Sequence, residues 1–460
     1  MRLCAVVLTF LIIAVSGCAH FQDKPLLPSE NLNAFEYRRL ESEDLKTYIQ
    51  SKDDNKEWPL KAWGLSNLTL AAFFYHPSLD VARAQYAVSK GNLKTAGQLP
   101  NPTFSINPGY NSSTPSGSGI SSHILDAALE IPFETAGKRG YRIAQADQLS
   151  ESARLKIAAA AWQVRSGVRQ AFLDIYAARR TEELLSKQQA IQSENVRLLQ
   201  LQQEAGEVSP FEVSQARITF NNATLALIEA QRDQALAVAK LANAMGVPVS
   251  ALKSVVFSFD CVTAIPENIP EQEVRRQAMV SRSDLLGALA DYQVSQSALQ
   301  LEIAKQYPDV NLGPGYAYDQ GEDKWFLGFS IALPILNHNE GAIAAAEARR
   351  SESAAKFSQL QAEIISQITV ALTDYQNSIK KLNTAESLTE ELKKKAQAVR
   401  QMYEAGEILR LAVLASELEL SSGEVATLAA EIETLKALGN LEDAIQQDLE
   451  TPSWQDIVLK

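Results

Sequence analysis

The sequence has little of what most protein chemistry needs: its 460 residues include three cysteines, four histidines, four methionines and only 7% aromatics. Cys4 falls in an apolar leader and Cys18 ends it as a candidate for lipidation, so Cys261 is left as the only free thiol and no disulfide framework is expected. His20, His76, His123 and His338 are widely separated, with no ligand spacing among them, and no metal site is expected. A GxSxG elbow and a dinucleotide fingerprint are both missing, and Gly137-Lys138 lacks the upstream glycine of a phosphate loop, so the chain is not read as an enzyme and no cofactor is expected. Basic residues are outnumbered, 43 Lys+Arg against 55 Asp+Glu for a net charge of −12, which excludes nucleic acid as a natural partner. Beyond the leader no run of about 18 apolar residues occurs. A membrane-spanning helix is therefore excluded, and any contact with a bilayer has to come through lipid or strands.

The leader itself is clear. Arg2 precedes a run from Leu3 to Val15 broken only by Thr9, the length of a signal-peptide core and too short to cross a bilayer. It ends in Val15-Ser16-Gly17-Cys18, which resembles a bacterial lipobox. That resemblance implies removal of residues 1–17 and a covalent lipid, diacylglycerol with palmitate-type chains, on Cys18. Residues 18–64 then read as an extended, lipid-anchored segment.

The remainder is written twice. Ala82, Ala84 and Tyr86 return as Ala288, Ala290 and Tyr292, and Pro102 with Pro108-Gly109-Tyr110 returns as Pro308 with Pro314-Gly315-Tyr316. Val164, Val168, Phe172 and Ile175 return as Ile364, Ile368, Leu372 and Tyr375, and EAGE at Glu204–Glu207 as EAGE at Glu404–Glu407. A period of roughly 200 residues marks duplicated half-structures. The first copy is placed at 65–246 and the second at 276–449, joined by a linker at 247–275 and followed by a tail at 450–460.

Two periodicities alternate within each copy. Apolar residues stepping by three, four and seven, as at Val164, Val168, Phe172, Ile175, Leu184, Ile191 and Leu198, describe a helix with a narrow seam. Long helices are expected at 138–204 and 340–404, roughly 95 Å each at 1.5 Å per residue. Such rods must pack side by side in a bundle or tube. The returning helices are placed at 211–246 and 411–449, with a shorter helix from Arg282 to Gln306 stacked on an end.

Between the helices the period changes to two. Trp325, Leu327, Phe329, Ile331 and Leu333 alternate with Gly328, Ser330 and Ala332, and Phe104, Ile106 and Tyr110 with Ser105, Asn107 and Gly109. Hairpins are expected at 103–133 and 309–333, with loops at Asn111 to Ser122 and Asp319 to Lys324. One apolar and one small or polar face is the signature of an outer-membrane barrel strand, and Trp325, Tyr110 and Tyr316 suit an aromatic girdle. Four strands cannot close, and an open edge is not tolerated in lipid. Several chains must contribute to one barrel; three copies make twelve strands.

Each long helix must also turn back. Gly206 and Gly406 offer a left-handed stop, and Ser209-Pro210 a start for the first returning helix.

With these residues in view, the chain resembles the TolC-type outer-membrane efflux channel family from about residue 65 onward. The resemblance rests on the paired repeats, on Pro132 and Pro334 before the long helices, and on the tip segments EAGEVSPFEVSQAR and YEAGEILRLAVL. It implies a mainly α fold with a small membrane β-barrel part, a homotrimer sharing a twelve-stranded barrel continued by a helical tunnel, and residence in the outer membrane with the tunnel in the periplasm. It also implies tips that meet a periplasmic adaptor, here Gly206, Glu207, Val208, Ser209, Gly406, Glu407, Ile408 and Leu409, and through it an inner-membrane pump. The stretch IPFETAGKRGYR resembles the cation-efflux branch served by pumps of the resistance-nodulation-division (RND) type. One departure stands out: the paired aspartates at the tunnel mouth of well-described members are Ala412 and Ala415 here, leaving Glu212 and Tyr403 as gate candidates. Two functions remain open at this level, a passive export duct and a structural coiled-coil lipoprotein tethering the outer membrane.

Overall fold

The computed structural model describes residues 20–52, 58–114, 117, 119–260, 265–266 and 269–449. Cys18 and the tail at 450–460 lie outside them. The N-terminal segment is not extended throughout: it holds helices α1 (Pro28–Glu36) and α2 (Glu43–Lys52). Leu45 and Ile49 stand four apart and are fully buried, so one turn of helix delivers both to the core. Arg38 pins the segment down by donating to the carbonyl of Tyr75 at 3.0 Å and to that of Gly246, the ends of two other helices.

The first copy runs α3 (Leu65–Tyr75), α4 (Pro77–Ala96), β1 (Thr103–Tyr110), β2 (His123–Phe133), α5 (Lys138–Glu204) and α6 (Pro210–Met245). The second runs α7 (Glu271–Ser281), α8 (Ser283–Ala304), β3 (Val310–Asp319), β4 (Glu322–Ile331), α9 (Glu340–Glu404) and α10 (Arg410–Ile445). The long helices hold 67 and 65 residues, about 100 Å of rod each. The last helix stops at Ile445, short of the expected 449, because Gln446 takes the left-handed conformation at φ 51° and the Gln447 amide closes back on Glu442 O. The second hairpin is also tighter than expected: Gln320 and Gly321, both at positive φ, make a two-residue turn where a loop from 319 to 324 is read from the sequence.

The repeated apolar positions form the repeated cores. Val168, Phe172 and Ile175 are buried with Leu241 and Met245, and Ile364, Ile368, Leu372 and Tyr375 with Leu441 and Ile445. Tyr375 keeps a polar outlet, its hydroxyl donating to Pro266 O at 2.7 Å, and burial pushes its pKa up to about 12. The first part of the stretch expected as a linker, 247–257, belongs to the first core, whereas Val274 near its end is buried in the second. Val247, Ala251, Leu252 and Phe257 are buried in the first, and Phe257 bridges to Trp63. Its apolar residues have no alternative shelter, so the segment folds onto the helices.

The strands form one antiparallel sheet in the order β1-β2-β3-β4. β2 and β3 pair across the two copies, which leaves β1 and β4 as open edges.

Candidate functional site

The sheet register shows what the hairpins present. On one face Ile106, Ala127, Tyr316 and Trp325 lie side by side, followed along the strands by Phe104, Leu129, Pro314 and Leu327. Trp325, Phe329 and Tyr110 stay exposed on this face, 81, 76 and 68% respectively. The opposite face carries Ser105, Asn107, Gly313, Gly328 and Ser330. Ile124, Pro132 and Phe326 are the larger apolar residues there. The Phe326 ring lies over Gly315, where a Cβ would come within 2.3 Å of it, so glycine makes room for the aromatic.

Where the sheet meets the rods, the IPFETAGKRGYR stretch becomes a joint between the copies. Ala136 and Gly137 both take positive φ, turning the chain from β2 into α5. Lys138, buried, donates to Asp309 Oδ1 at 2.8 Å, and the Thr135 amide donates to the same oxygen at 2.9 Å. Burial alone raises the Asp309 carboxyl, but these donors outweigh it and hold it below the usual range. Glu134 is bound in two places by Arg142, and that hydrogen bonding depresses its pKa.

The opposite ends are two glycine tips. Gly206 and Gly406 both stand at φ 79°. Behind each, an amide closes on the helix just ended, Glu207 N on Gln202 O and Glu407 N on Met402 O, both at 2.9 Å. Ser209 and Glu212 form a capping box that opens α6, whereas Leu409 in the second copy caps nothing. Val208, Ser209, Ile408 and Leu409 lie in these turns beside Glu207 and Glu407, so the sequence-read tip residues share one end of the molecule. The two gate candidates take separate partners. Glu212 is spent on Ser209, and the Tyr403 ring faces Arg410 at 5.9 Å. Arg410 is a tip residue the sequence did not single out: it also reaches Glu417 at 3.9 Å and, after Arg197, helps depress the Glu194 carboxyl on α5. A cavity of about 460 Å³ lies between α5, α6 and α10 there, lined by Ile191, Phe211, Glu212 and Leu414 among others.

Two hairpins of about 100 Å joined to one four-stranded sheet match known proteins throughout. The family described as outer membrane efflux protein matches residues 73–247 and 274–445, both copies of the repeat. The chain belongs to this family. Its members are channels and not enzymes. Among curated relatives, the cobalt-zinc-cadmium resistance protein CzcC of Cupriavidus metallidurans is 24% identical over 267 residues, 57% of this chain and 61% of that protein. The pyoverdine export outer membrane protein OpmQ of Pseudomonas aeruginosa is 26% identical over 341 residues, 68% of this chain and 69% of that one. Among solved structures, the outer-membrane channel OprN superposes with a TM-score of 0.69 at 17% identity, covering 96% of this chain and 99% of its own. The outer membrane protein VceC of Vibrio cholerae gives 0.67 at 20%, covering 83% of this chain and 95% of that one.

Midway along the rods the structure of this outer membrane efflux protein shows a polar seam that periodicity does not reveal. Arg165 and Arg169 of α5 are buried against the end of α10. Arg169 donates to Glu442, to Asp443 at 3.1 Å and to the Gly439 carbonyl, while Arg165 reaches Asp448 at 2.7 Å and Glu442 at 3.5 Å. Trp162 Nε1 donates to Asp443 at 2.9 Å and Ser166 Oγ at 2.6 Å. Burial pushes the Glu442 carboxyl up, against the pull of both arginines. A Cβ at Gly439 would stand 2.7 Å from the Arg169 guanidinium, which would have to shift to admit it. Lys436 to Asp174 and Tyr176 to Glu431, both at 2.8 Å, extend the seam toward the tips. The signal in the sequence is the mismatch between copies: Ile365 and Thr369 stand where the first copy has Arg165 and Arg169. Among the described residues, no three His, Cys, Asp or Glu gather as a metal site.

Proposed function

We propose that the protein is the outer-membrane duct of a tripartite efflux system, a passive homotrimer through which a periplasmic adaptor and an RND-type inner-membrane pump expel small molecules or metal cations. The observation that carries it is the sheet: four strands, apolar on one face, with both edges open at one end of two long helical hairpins. Unpaired edges in hydrocarbon cost several kcal/mol per orphaned group. Three copies closing edge to edge into twelve strands remove them and continue the rods as a tunnel. The two relatives differ in cargo by name, cobalt-zinc-cadmium resistance and pyoverdine export, which supports a duct whose cargo is chosen by its pump. The apolar sheet face also sets the duct apart from a tether, which needs only a lipid.

In this reading Cys18 carries lipid in the inner leaflet of the outer membrane. Glu207, Val208, Ser209, Glu407, Ile408 and Leu409, with Gly206 and Gly406, meet the adaptor, and Glu212 and Tyr403 restrain the mouth. Closure draws on Arg410 and the two hairpin turns more than on a carboxylate ring, because Ala412 and Ala415 supply none. The test is single-channel recording of purified trimers in a planar bilayer. Discrete conducting steps that vanish on deletion of Asp319 to Leu333 are expected. Silence from verified trimers of the parent and of both Glu212→Ala and Tyr403→Ala would overturn the duct in favour of the tether.

A further inference from the structure

The face of the sheet opposite the apolar one lines the lumen once the barrel closes, and one aromatic stands on it. Phe326 of β4 pairs with Gly315 of β3, its ring folded over the glycine and still 43% exposed. The fold does not ask for a ring at this place. In the first copy the same Pro-Gly-Tyr sequence sets Ile124 across from Gly109, where a Cβ on the glycine would stand 3.4 Å from the Ile124 side chain. An aliphatic residue therefore covers the strand glycine as well as an aromatic does. Register also sets charge around the ring. The row that holds Phe326 and Gly315 continues to Ala128 of β2, and Asp126 and Glu130 stand two residues to either side of Ala128 on the same face. Glu130 is exposed and Asp126 half-buried, and among the described residues neither has an ion-pair partner. Lys324, the only Lys or Arg in the four strands, is taken up by Asp319 at 2.7 Å and Glu322 at 3.5 Å. The two free carboxylates stand roughly 13 Å apart along β2, with the ring about one strand spacing, ~5 Å, to the side. Gly313, Gly328 and Ala317 keep the wall around them low.

We propose that this patch is a binding site for lipophilic organic cations on the wall of the barrel, Phe326 stacking on the apolar body of the cation while Asp126 and Glu130 hold its charge. The inference rests on the closed-barrel duct reading and names a cargo class for it. The chemistry is complementary on both counts: an aromatic face attracts a cation as well as an apolar surface, and unpaired carboxylates favour positive charge. A small inorganic cation gains little from the ring, and an anion of any shape is repelled. Three copies set three such patches around one lumen, and an acidic lining between low-dielectric walls raises the local concentration of cations. The patch faces water, so each contact is weak and salt-screened. Weak, repeated sites suit a passage, since cargo has to enter and also to leave.

The experiment is block of single-channel current by tetraphenylphosphonium, added to purified trimers in a planar bilayer, with tetraphenylborate as the anion of the same shape. Concentration-dependent block by the phosphonium is expected from the parent, with far less by the borate. Phe326→Ile gives the second copy the aliphatic residue that the first already carries, so the sheet is expected to form without the ring. Its half-blocking concentration of phosphonium should rise about 3–10-fold. Asp126→Asn/Glu130→Gln should raise it by a similar factor and bring the two probes closer together. Absence of block, equal block of the parent by both probes, or phosphonium block that either set of substitutions leaves unchanged would overturn the site while the conducting steps leave the duct standing. Silence from trimers of the parent, Glu212→Ala and Tyr403→Ala would overturn both.

Discussion

Replacing Arg169 with alanine tests whether the α5–α10 seam holds the repeats together. The substitution takes three donor contacts from Glu442, Asp443 and the Gly439 carbonyl, and it leaves Glu442, only 5% exposed, facing Arg165 at 3.5 Å. Removing one partner of a buried pair costs about 3–5 kcal/mol. With an unfolding entropy of about 2.1 cal/mol/K per residue, or roughly 1 kcal/mol/K for a chain this long, the melting midpoint should fall by about 3–5 °C. Because cost and entropy both scale with the number of copies, the shift is the same whether one chain or three unfold together. The loss should depend on pH. Glu442 is raised by burial, so the fold favours its neutral form. In the variant the orphaned charge is felt above the folded pKa and is relieved as pH falls through it. The assay is helical circular dichroism against temperature at one scan rate, for the parent, Arg169→Ala and Arg169→Ala/Glu442→Gln across neutral to mildly acid pH. The double variant should recover about half the loss at neutral pH, since it carries no orphaned carboxylate. A drop under about 1 °C, or a loss that neither pH nor Glu442→Gln alters, would refute the reasoning.

Gly406→Ala, and likewise Gly206→Ala, should cost about 1–2 kcal/mol locally, because only φ strain is added and nothing lies within 4 Å of the new methyl; amide exchange in that tip should quicken roughly 5–30-fold. Glu134 is depressed by Arg142, so its contribution is present above the ordinary carboxylate pKa and lost as pH falls through the lowered one. Glu134→Gln should therefore flatten the acid limb of stability by roughly 1 kcal/mol or less, read as the midpoint measured below about pH 5. Cys18→Ala should abolish incorporation of labelled palmitate, and persistence of the label would place the lipid elsewhere.

What could be read in the sequence was whatever repeats locally. A period of two in Phe104, Ile106, Trp325 and Phe329 announced strands with one apolar face, and unbroken steps of three and four announced the rods. Gly206 and Gly406 marked the returns, because few residues but glycine accept φ 79° cheaply. The N-terminal helices were missed because Leu45 and Ile49 make only one turn of pattern, and the 247–275 join because its apolar residues follow no period. Arg165 and Arg169 four apart look, in one dimension, like any solvated helix face.

The sequence by itself therefore determined the long helices, the strands, the duplication and the places where the chain reverses, since each depends on the conformation of a few neighbouring residues. Only the tertiary structure decided that β2 pairs with β3 across the two copies, that Lys138 meets Asp309, and that the end of α10 covers Arg165 and Arg169 of α5. Those pairings set residues more than 150 positions apart against one another. They follow from which surfaces fit once the rods stand side by side, and no local periodicity carries that information.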